Sequence, residues 1–312
     1  MIVVSGEALM DVFGAGDTPT GLQLDARIGG SPLNVAIGLA RLAQPVAFFG
    51  ALSSGFLGDR LLAALRTEGV RTDCTVRIDA PTTLGLVGLD ARGVPNYAFY
   101  GEGAADRLLP LSALAKVPAA QAYHFGSYAM VVEPVAATQR ALVERESASG
   151  ASGVIAYDPN IRLNVEPDLA RWRQTLEWML PRTHLLKVSD EDLGLLYPSA
   201  NIAQLAATWL AAGIALVVVT RGALGAWAWT ANHHVAAAPV PAQLLDTVGA
   251  GDTFQAALLT ALAERGLLTR DALSALGAEA LDDVLRFATQ AAAITCSRRG
   301  ADLPRRVELP GA

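Results

Sequence analysis

Short, wholly apolar runs alternate along this chain with longer segments whose apolar residues recur at helical spacing. Strands that are apolar on both faces are typical of a parallel sheet covered by helices on both sides. The runs that predict strands are residues 2–4, 46–50, 122–125, 154–157, 184–188 and 216–220. The segments that predict helices are residues 33–42, 59–68, 134–144, 172–179 and 202–212. This alternation, with its short connections, predicts an α/β fold with a doubly wound, mainly parallel sheet and right-handed crossovers.

Two stretches do not fit the strand–helix alternation. Residues 82–100 contain two strand-like runs around a turn at 90–93, and residues 12–28 are rich in Gly, Thr and Asp. Both suit a small β-sheet that projects from the main domain, since a projecting lid is a common way to exclude water from a reaction. An ordinary surface hairpin is the alternative. We therefore expect a single domain over 1–312, with a lid formed by roughly 12–28 and 82–106.

The composition excludes two classes of protein. Apolar residues make up 52% of the chain and charged residues only 17%, which excludes a disordered chain. The net charge is −6, and only Lys116 and Lys187 among the 24 basic side chains are lysines. Binding to nucleic acid by charge alone needs a concentrated basic face. We therefore expect no nucleic-acid partner.

Cysteine usage and hydropathy indicate the compartment. Cys74 and Cys296 lie far apart and lack the density of a secreted disulfide scaffold, so two reduced thiols in a cytoplasmic protein are expected. The start of the chain, MIVVSGEALMD, has no basic segment of the signal-peptide kind. Residues 193–220 carry no charge, but their polar and glycine punctuation predicts a helix, a Gly turn and a strand. No membrane association is expected.

The segment DTVGAGDTF at 246–254 carries the strongest chemical signal. It places small residues just before a good helix former, QAALLTALAERG. Free backbone N–H groups at a helix start bind anions, and glycine lets a phosphate approach the backbone closely. Asp252 suits two roles in this position: it could cap the helix, or it could deprotonate an incoming hydroxyl. Spacing alone leaves both open.

Two familiar nucleotide motifs are missing from the sequence. Neither lysine follows a glycine, so the Walker A pattern is absent. Gly14-Ala15-Gly16 runs into Asp-Thr-Pro rather than into a helix, so the dinucleotide fingerprint fails as well. A P-loop ATPase and an NAD enzyme are both excluded.

A second glycine turn opens a helix near the start of the chain. The segment IGGSPLNVAIGLARL spans 28–42 and places Asn34 in the first helical turn. An asparagine side chain offers both a donor and acceptors, as a polyhydroxylated ligand requires. A Gly-Gly turn with a helix-terminal Asn is also a common structural feature, so this motif alone decides little.

Together, GGSPLNVAIGLARL and DTVGAGDTFQAAL resemble the two signature regions of the ribokinase/phosphofructokinase-B-type carbohydrate kinases. Their order and separation match over essentially the whole chain. The resemblance implies a ribokinase-like α/β domain with a small β-sheet lid, and ATP-dependent phosphorylation of a sugar or nucleoside hydroxyl. It also implies that Asp252 is the catalytic base and that the anion hole is formed by Gly249, Ala250 and Gly251.

Further site residues follow from the same resemblance, position by position. The sugar-binding positions are Asp11, Gly30 and Asn34. On the hairpin, Tyr97 and Tyr100 would either pack over the sugar or stabilise a dimer. The nucleotide-binding positions are Lys187, Ser189, Thr220, Gly222 and Gly225.

The metal positions follow the family pattern less closely. The stretch KVSDED at 187–192 departs from the family's N-x-x-E motif, with Ser189 for Asn and Asp192 for Glu. Asp192 would then hold magnesium through water, because magnesium usually keeps several waters. Asp246 matches the position of a monovalent-cation ligand. The implied cofactors are ATP as co-substrate, Mg²⁺ and K⁺, and a homodimer through the lid is expected.

The segment YDPNIR at 157–162 resembles the D-P-N-x-R segment of fructokinases, and GGSPLN differs from the GGKGAN of ribokinases. Arg162 would then supply positive charge to the transferring phosphoryl group. The implied reaction converts fructose to fructose 6-phosphate. Alternative acceptors are 2-keto-3-deoxygluconate, another ketose or a riboside; an acid sugar would need a further cationic contact, such as Arg107 or Arg162. A non-catalytic sugar or nucleotide sensor is the alternative of another class.

Overall fold

The computed structural model describes residues 1–89, 95–148 and 153–311, with the backbone alone at 87–89 and 95–97. Its strands are β1 (Ile2–Ser5), β2 (Leu9–Thr18), β3 (Gly21–Gly29), β4 (Val46–Phe49), β5 (Ala51–Ser53), β6 (Val76–Ile78), β7 (Leu84–Leu89), β8 (Pro95–Tyr100), β9 (Ala122–Gly126), β10 (Val154–Asp158), β11 (Leu185–Ser189), β12 (Leu216–Thr220), β13 (Ala226–Trp229) and β14 (His234–Ala237). Its α-helices are α1 (Ser31–Arg41), α2 (Phe56–Thr67), α3 (Val135–Ser147), α4 (Leu169–Met179), α5 (Asp190–Leu196), α6 (Ile202–Ala211), α7 (Ala250–Glu264), α8 (Arg270–Ser274) and α9 (Ala278–Cys296).

The central sheet has the order β14-β13-β12-β11-β10-β9-β1-β4 within the described residues. Its strands are parallel from β4 to β12, and β13 and β14 join antiparallel at one edge. The doubly wound, mainly parallel sheet predicted from the sequence is therefore confirmed, and the six predicted strands agree with the observed ones within one residue at each end. The antiparallel pair β13 and β14 was not predicted.

Helices cover both faces of this sheet because alternate side chains of each strand point to opposite faces. Val4 on β1 belongs to the core packed by α1, α2, α7 and α9. Its neighbour Val3 belongs to the core packed by α3, α4, α5 and α6. The uncharged stretch 193–220 contains α6, a turn at Gly213 with φ of 109° and β12, as predicted. No α-helix in the described ranges is both long enough and apolar enough to span a bilayer.

A separate sheet with the order β3-β2-β7-β8, called the small sheet below, includes both stretches that broke the strand–helix pattern. Strands β2 and β3 pair antiparallel, as do β7 and β8, whereas β2 and β7 pair parallel. The predicted turn at 90–93 lies outside the described residues. The small sheet starts four residues after β1 and returns to the main domain at Gly29, two residues before α1. It is thereby tied directly to the two elements that carry the first motif.

Candidate active site

Several polar residues lie where the parallel strands end, at what we call the carboxyl edge of the central sheet. Asp158 ends β10, Ser189 ends β11 and Thr220 ends β12. Strand β1 lies between β4 and β9 in the sheet. Along the chain, β4 is added on one side of β1 and β9 later on the other side, so the strand order reverses at β1. Ligands of open α/β sheets bind outside the carboxyl ends of the strands at such a reversal. The topology therefore indicates a site at this edge.

The start of α7 places free backbone N–H groups at the carboxyl edge. Gly249 caps the helix with φ of 77°, a left-handed conformation that favours glycine, and a Cβ there would lie 2.6 Å from Ala301 Cβ. The amides of Gly251 and Asp252 donate to no group within the described residues. The amide of Ala250 already donates to Thr247 O at 3.2 Å. The loop therefore presents unsatisfied donors that can bind an anion.

Asp252 joins the two sequence motifs, which lie more than 200 residues apart. Ser31 Oγ donates to its Oδ1 at 2.6 Å, and Asn34 Nδ2 donates to its Oδ2 at 2.8 Å. Ser31 and Asn34 both lie in the first turn of α1, which packs against α7. Gly249 is the N-cap of α7, and Asp252 lies three residues further on, with its two oxygens accepting from Ser31 and Asn34 rather than from a backbone amide of the helix start. The carboxylate is instead held by α1 beside the amides of its own helix.

Asp11 and Gly30 lie where the small sheet meets the main domain. Burial raises the pKa of Asp11 to about 6, with Arg162 lowering it and Asp252 raising it further. These electrostatic effects indicate that Asp11, Arg162 and Asp252 share one site. Gly30 has φ of 106°, and a Cβ there would lie 2.9 Å from the backbone oxygen of Glu7. Tyr97 lies on β8 opposite Val87, and its side chain is outside the described part of the structure.

Lys187 and Asp158 form a buried ion pair beneath the start of α7. Lys187 Nζ lies 2.7 Å from Asp158 Oδ2, and both side chains are about 5% exposed or less. Burial raises the pKa of Asp158, and the Lys187 ammonium partly offsets this. A Cβ on Gly251 would lie 3.3 Å from Lys187 Nζ. The sequence identified Lys187 but not its partner, because nothing in the spacing joins two residues that lie on neighbouring strands.

Arg162 follows β10 and is surrounded by carboxyl groups. Its charge lowers the pKa of Glu7, Asp11, Asp158 and Asp192, although burial is the largest effect on each and raises it. Its Nη1 donates to Ile161 O at 2.9 Å. Arg162 therefore supplies positive potential to a site whose other ionisable groups are mostly acidic.

Glu7 was missed by the sequence reasoning. It follows β1, is 1% exposed, and its Oε2 has no hydrogen-bond partner within the described residues. Burial raises its pKa to about 8, with Ser127 opposing the shift and Asp106 adding to it. In the segment GEALMD, only Asp11 was given a role from the sequence. Glu7 could also have been identified, because it is an acidic residue shortly after an apolar strand.

The predicted nucleotide positions lie together at the far end of the carboxyl edge. Ser189 pairs with Thr220 across β11 and β12. The turn that follows β12 contains Gly222 with φ of 50° and Gly225 with φ of 85°, and a Cβ on Gly225 would collide with Ala237 O. Glycine is thus required at 225 by both conformation and space, and it is favoured at 222 by conformation.

The two predicted metal positions lie in different surroundings. Asp192 is buried, its Oδ1 accepts the amide of Ile161 at 3.2 Å, and burial together with the Asp158 charge raises its pKa to about 6. Asp246 accepts the amides of Val248 at 3.0 Å and Gly300 at 2.7 Å. The described residues contain no group of three or more His, Cys, Asp or Glu side chains that could hold a metal ion. A metal here would therefore take most of its ligands from phosphate and water.

Comparison with known proteins agrees with this geometry. The pfkB family carbohydrate kinase model matches residues 1–307. A fructokinase from Rhizobium leguminosarum bv. trifolii is 35% identical over 307 residues, which cover 98% of this chain and 91% of that protein. The crystal structure of a Xylella fastidiosa fructokinase with bound ATP superposes with a TM-score of 0.84 at 28% identity, covering 96% of this chain and 93% of that one.

A second solved structure, a fructokinase from Vibrio cholerae O395 in a form bound to fructose, ADP and calcium ion, is 26% identical with a TM-score of 0.79. The match covers 96% of this chain and 94% of that one. The family model covers nearly the whole chain and the relatives match it over nearly their full length, so the chain belongs to the pfkB family of carbohydrate kinases.

Proposed function

We propose that this kinase is a fructokinase, which transfers the γ-phosphoryl group of ATP to the 6-hydroxyl of fructose. The observation that carries the proposal is the Asp252 carboxylate, held by Ser31 and Asn34 beside free amides at the start of α7. The relatives named fructokinase support the choice of sugar. So does the DPNIR segment at 158–162.

Asp252 acts as the general base. Each carboxylate oxygen accepts one hydrogen bond from α1 and keeps a further lone pair for the sugar hydroxyl. As the hydroxyl oxygen forms its bond to the γ-phosphorus, the bond from that phosphorus to the bridging oxygen of ADP breaks, and the proton passes to Asp252. The two hydrogen bonds fix the carboxylate in place, so little reorganisation is needed during proton transfer.

Backbone amides and cations spread the charge of the transferring phosphoryl group. Gly249, Ala250 and Gly251 form the anion hole, in which the free N–H of Gly251 is joined by that of Asp252. Arg162, whose charge acts on Asp11 and Asp158, adds a guanidinium, as phosphoryl transfer requires. Preorganised donors in a buried site act more strongly than the same groups in water.

The sugar lies between the small sheet and the start of α1. Asp11 accepts its hydroxyls, Asn34 offers its side-chain oxygen, and Gly30 leaves room for close approach. Tyr97, on β8 of the small sheet, is the further sugar contact that the family resemblance implies. In this role the small sheet is the lid that excludes water, with the lid formed by roughly 12–28 and 82–106 in a single domain over 1–312.

ATP lies along the carboxyl edge. The residues that bind it are Lys187, Ser189, Thr220, Gly222 and Gly225. Magnesium, when bound, neutralises the phosphates. The residues present fit a magnesium ion. Asp158 Oδ1 is buried with no partner in the described residues, and the Asp158 charge raises the pKa of Asp192. A cation beside them would offset the charge of both carboxylates. Asp192 would hold it through water. Asp246 would hold K⁺ with oxygens that each accept one amide.

We propose further that the enzyme is a cytoplasmic homodimer that pairs through the small sheet. Leu22 and Leu24 on β3 are 58% and 50% exposed, and Tyr100 on β8 is 62% exposed. Leu22 and Leu24 lie two residues apart on the edge strand β3, and grouped exposed apolar side chains are typical of an interface. The cysteines Cys74 and Cys296 are both free, which supports a reducing compartment.

The proposal is tested by measuring ADP release with a panel of acceptors. The panel contains fructose, tagatose, ribose, 2-keto-3-deoxygluconate and adenosine, and NMR of the product locates the phosphate. We expect the highest kcat/KM with fructose and a 6-phosphate product. A preference for 2-keto-3-deoxygluconate or ribose would move the assignment to another acceptor, whereas sugar binding by calorimetry without ADP release would support the sensor alternative.

A further inference from the structure

The Asp11 side chain lies across β2 between two glycines on the neighbouring strands. On β7, Gly85 is directly opposite Asp11. On β3, the residue opposite Asp11 is Arg27, and Gly29 lies two residues further along that strand. Side chains in register, or displaced by two residues, share one face of a sheet. Asp11, Gly29 and Gly85 are therefore side by side on that face.

Neither glycine is required by the backbone. Neither Gly29 nor Gly85 has a positive φ, so both strands could accept any residue at these positions. A Cβ on Gly29 would instead collide with Asp11 Oδ2 and lie 2.9 Å from Asp11 Cγ. A Cβ on Gly85 would lie 3.0 Å from Asp11 Oδ1 and 3.2 Å from the ring of Phe99. What these glycines provide is space for the carboxylate.

Shape alone fixes the direction of this carboxylate. The Asp11 oxygens accept no hydrogen bond from any residue in the described ranges, in contrast to Asp252, whose two oxygens are both held. A terminal carboxylate with no hydrogen bond rotates easily when a neighbouring atom displaces it. An added methyl group on Gly85 would thus displace Oδ1, and one on Gly29 would displace the whole Asp11 carboxyl group, Cγ included.

We propose that Gly29 and Gly85 are positioning residues, which hold the Asp11 carboxylate in the orientation that binds a sugar hydroxyl. This inference rests on the proposed function, because it takes Asp11 as a sugar ligand. The small sheet then recognises sugar through the space that Gly29 and Gly85, which have no side chains, leave for the Asp11 carboxylate. Any residue larger than glycine at either position weakens sugar binding without weakening ATP binding.

The test compares G29A and G85A with G14A. Gly14 lies on the same strand as Asp11, has no positive φ and has no atom within 4 Å of an added Cβ, so it is a matched control. We expect KM for fructose to rise by roughly 10- to 100-fold in G29A, as for loss of a hydrogen bond to a charged group, and less in G85A. KM for ATP should stay constant. The melting temperature should not fall, since alanine lowers the entropy of the unfolded chain.

A second readout ties the effect to Asp11. Monodeoxy fructose analogues that lack one hydroxyl each should bind the wild type and G14A more weakly than fructose does. In G29A, the analogue that lacks the hydroxyl donating to Asp11 should bind as well as fructose does. Equal kinetics in all three variants would overturn the inference, as would a fall in melting temperature with an equal rise in both KM values. If the wild type phosphorylates a sugar other than fructose, the proposed function fails, and the same variants assayed with that sugar decide the inference separately.

Discussion

At the residue scale, two carboxyl groups near the proposed sugar positions, the buried Glu7 and the partly exposed Asp11, give the protein its pH response. Burial raises the pKa of Asp11 to about 6 and that of Glu7 to about 8. At pH 7 Asp11 is therefore mainly ionised and able to accept a sugar hydroxyl, whereas Glu7 is mainly protonated. The two groups affect different measurements, because Asp11 is the proposed sugar ligand, whereas Glu7 is enclosed by protein.

Protonation of Asp11 should weaken sugar binding. As pH falls below about 6, KM for fructose should rise by up to about tenfold per pH unit, because the protonated carboxyl loses the charge that strengthens its hydrogen bond. KM for fructose measured from pH 5 to pH 8 checks this, with Asp11→Asn as the control that should show a raised but flat KM. A wild-type KM that does not change over this range would contradict the role of Asp11.

Glu7 should lower stability as pH rises. The folded pKa of about 8 exceeds the ordinary value of 4.5, so the unfolded chain releases this proton first and the free energy of unfolding falls between about pH 4.5 and 8. Glu7→Gln removes this dependence. In chemical denaturation, the free energy of unfolding of the variant relative to that of the wild type should increase by up to about 1.4 kcal/mol per pH unit in that interval. Parallel pH profiles for the two proteins would show that Glu7 is ionised in the folded state.

At the element scale, the start of α7 depends on one residue in a left-handed conformation against the loop at Ala301. Gly249→Ala adds both the conformational strain and a contact of 2.6 Å with Ala301 Cβ. The free energy of unfolding should fall by about 2–4 kcal/mol, and kcat should fall because the anion hole is displaced.

Gly266→Ala is the matched control, since Gly266 follows the same helix with φ of 67° but has open space around an added Cβ. It should lose only about 1–2 kcal/mol and keep its kcat. Urea denaturation and the ADP-release assay give both numbers for each variant. An equal loss of stability in the two variants would show that the contact with Ala301 does not constrain the loop.

The elements differ in how far the sequence alone could predict them. Strands such as β10 and β12 are apolar up to their last residue, and α7 follows a glycine motif, so pattern and local chemistry identify them directly. The antiparallel strands β13 and β14 were missed because Trp227, Trp229 and His234 stand among small residues without a long apolar run. Their pairing depends on tertiary context at the sheet edge rather than on local pattern.

The site shows the same division. Asp252, Asn34 and Gly249 lie in contiguous motifs and could be named from the sequence. The Lys187–Asp158 pair and the gap around Asp11 depend on which strands are neighbours in the sheet, and strand order is not encoded in the spacing of residues along the chain. Glu7 needed knowledge of its burial, because its unusual pKa comes from desolvation.

At the scale of the whole molecule, a chain with net charge −6 binds a polyanion through local rather than global positive potential. In the proposed function this potential comes from the free amides at the start of α7 and from Arg162 and Lys187, and magnesium would add to it. Low overall charge excludes a polyanion held by many side chains. It allows a single triphosphate held mainly by backbone and metal.

The exposed apolar side chains of the small sheet should set the oligomeric state. Light scattering during gel filtration should give twice the 32.5 kDa chain mass for the wild type, and a lower mass for a variant with Leu22→Lys and Leu24→Lys. Val307→Lys, at a position near the end of the chain that is 80% exposed, should leave the mass unchanged. A wild type that stays at 32.5 kDa at all concentrations would contradict pairing through the small sheet.

The account as a whole depends on Asp252 as the base of a phosphoryl transfer to fructose, and Asp252→Asn tests it most directly. The substitution keeps the shape of the side chain and its place beside Ser31 and Asn34 while removing the proton acceptor. In the ADP-release assay with fructose, kcat should fall by roughly 10²- to 10⁴-fold, and calorimetry should show nearly unchanged fructose affinity. Turnover close to that of the wild type would contradict the mechanism.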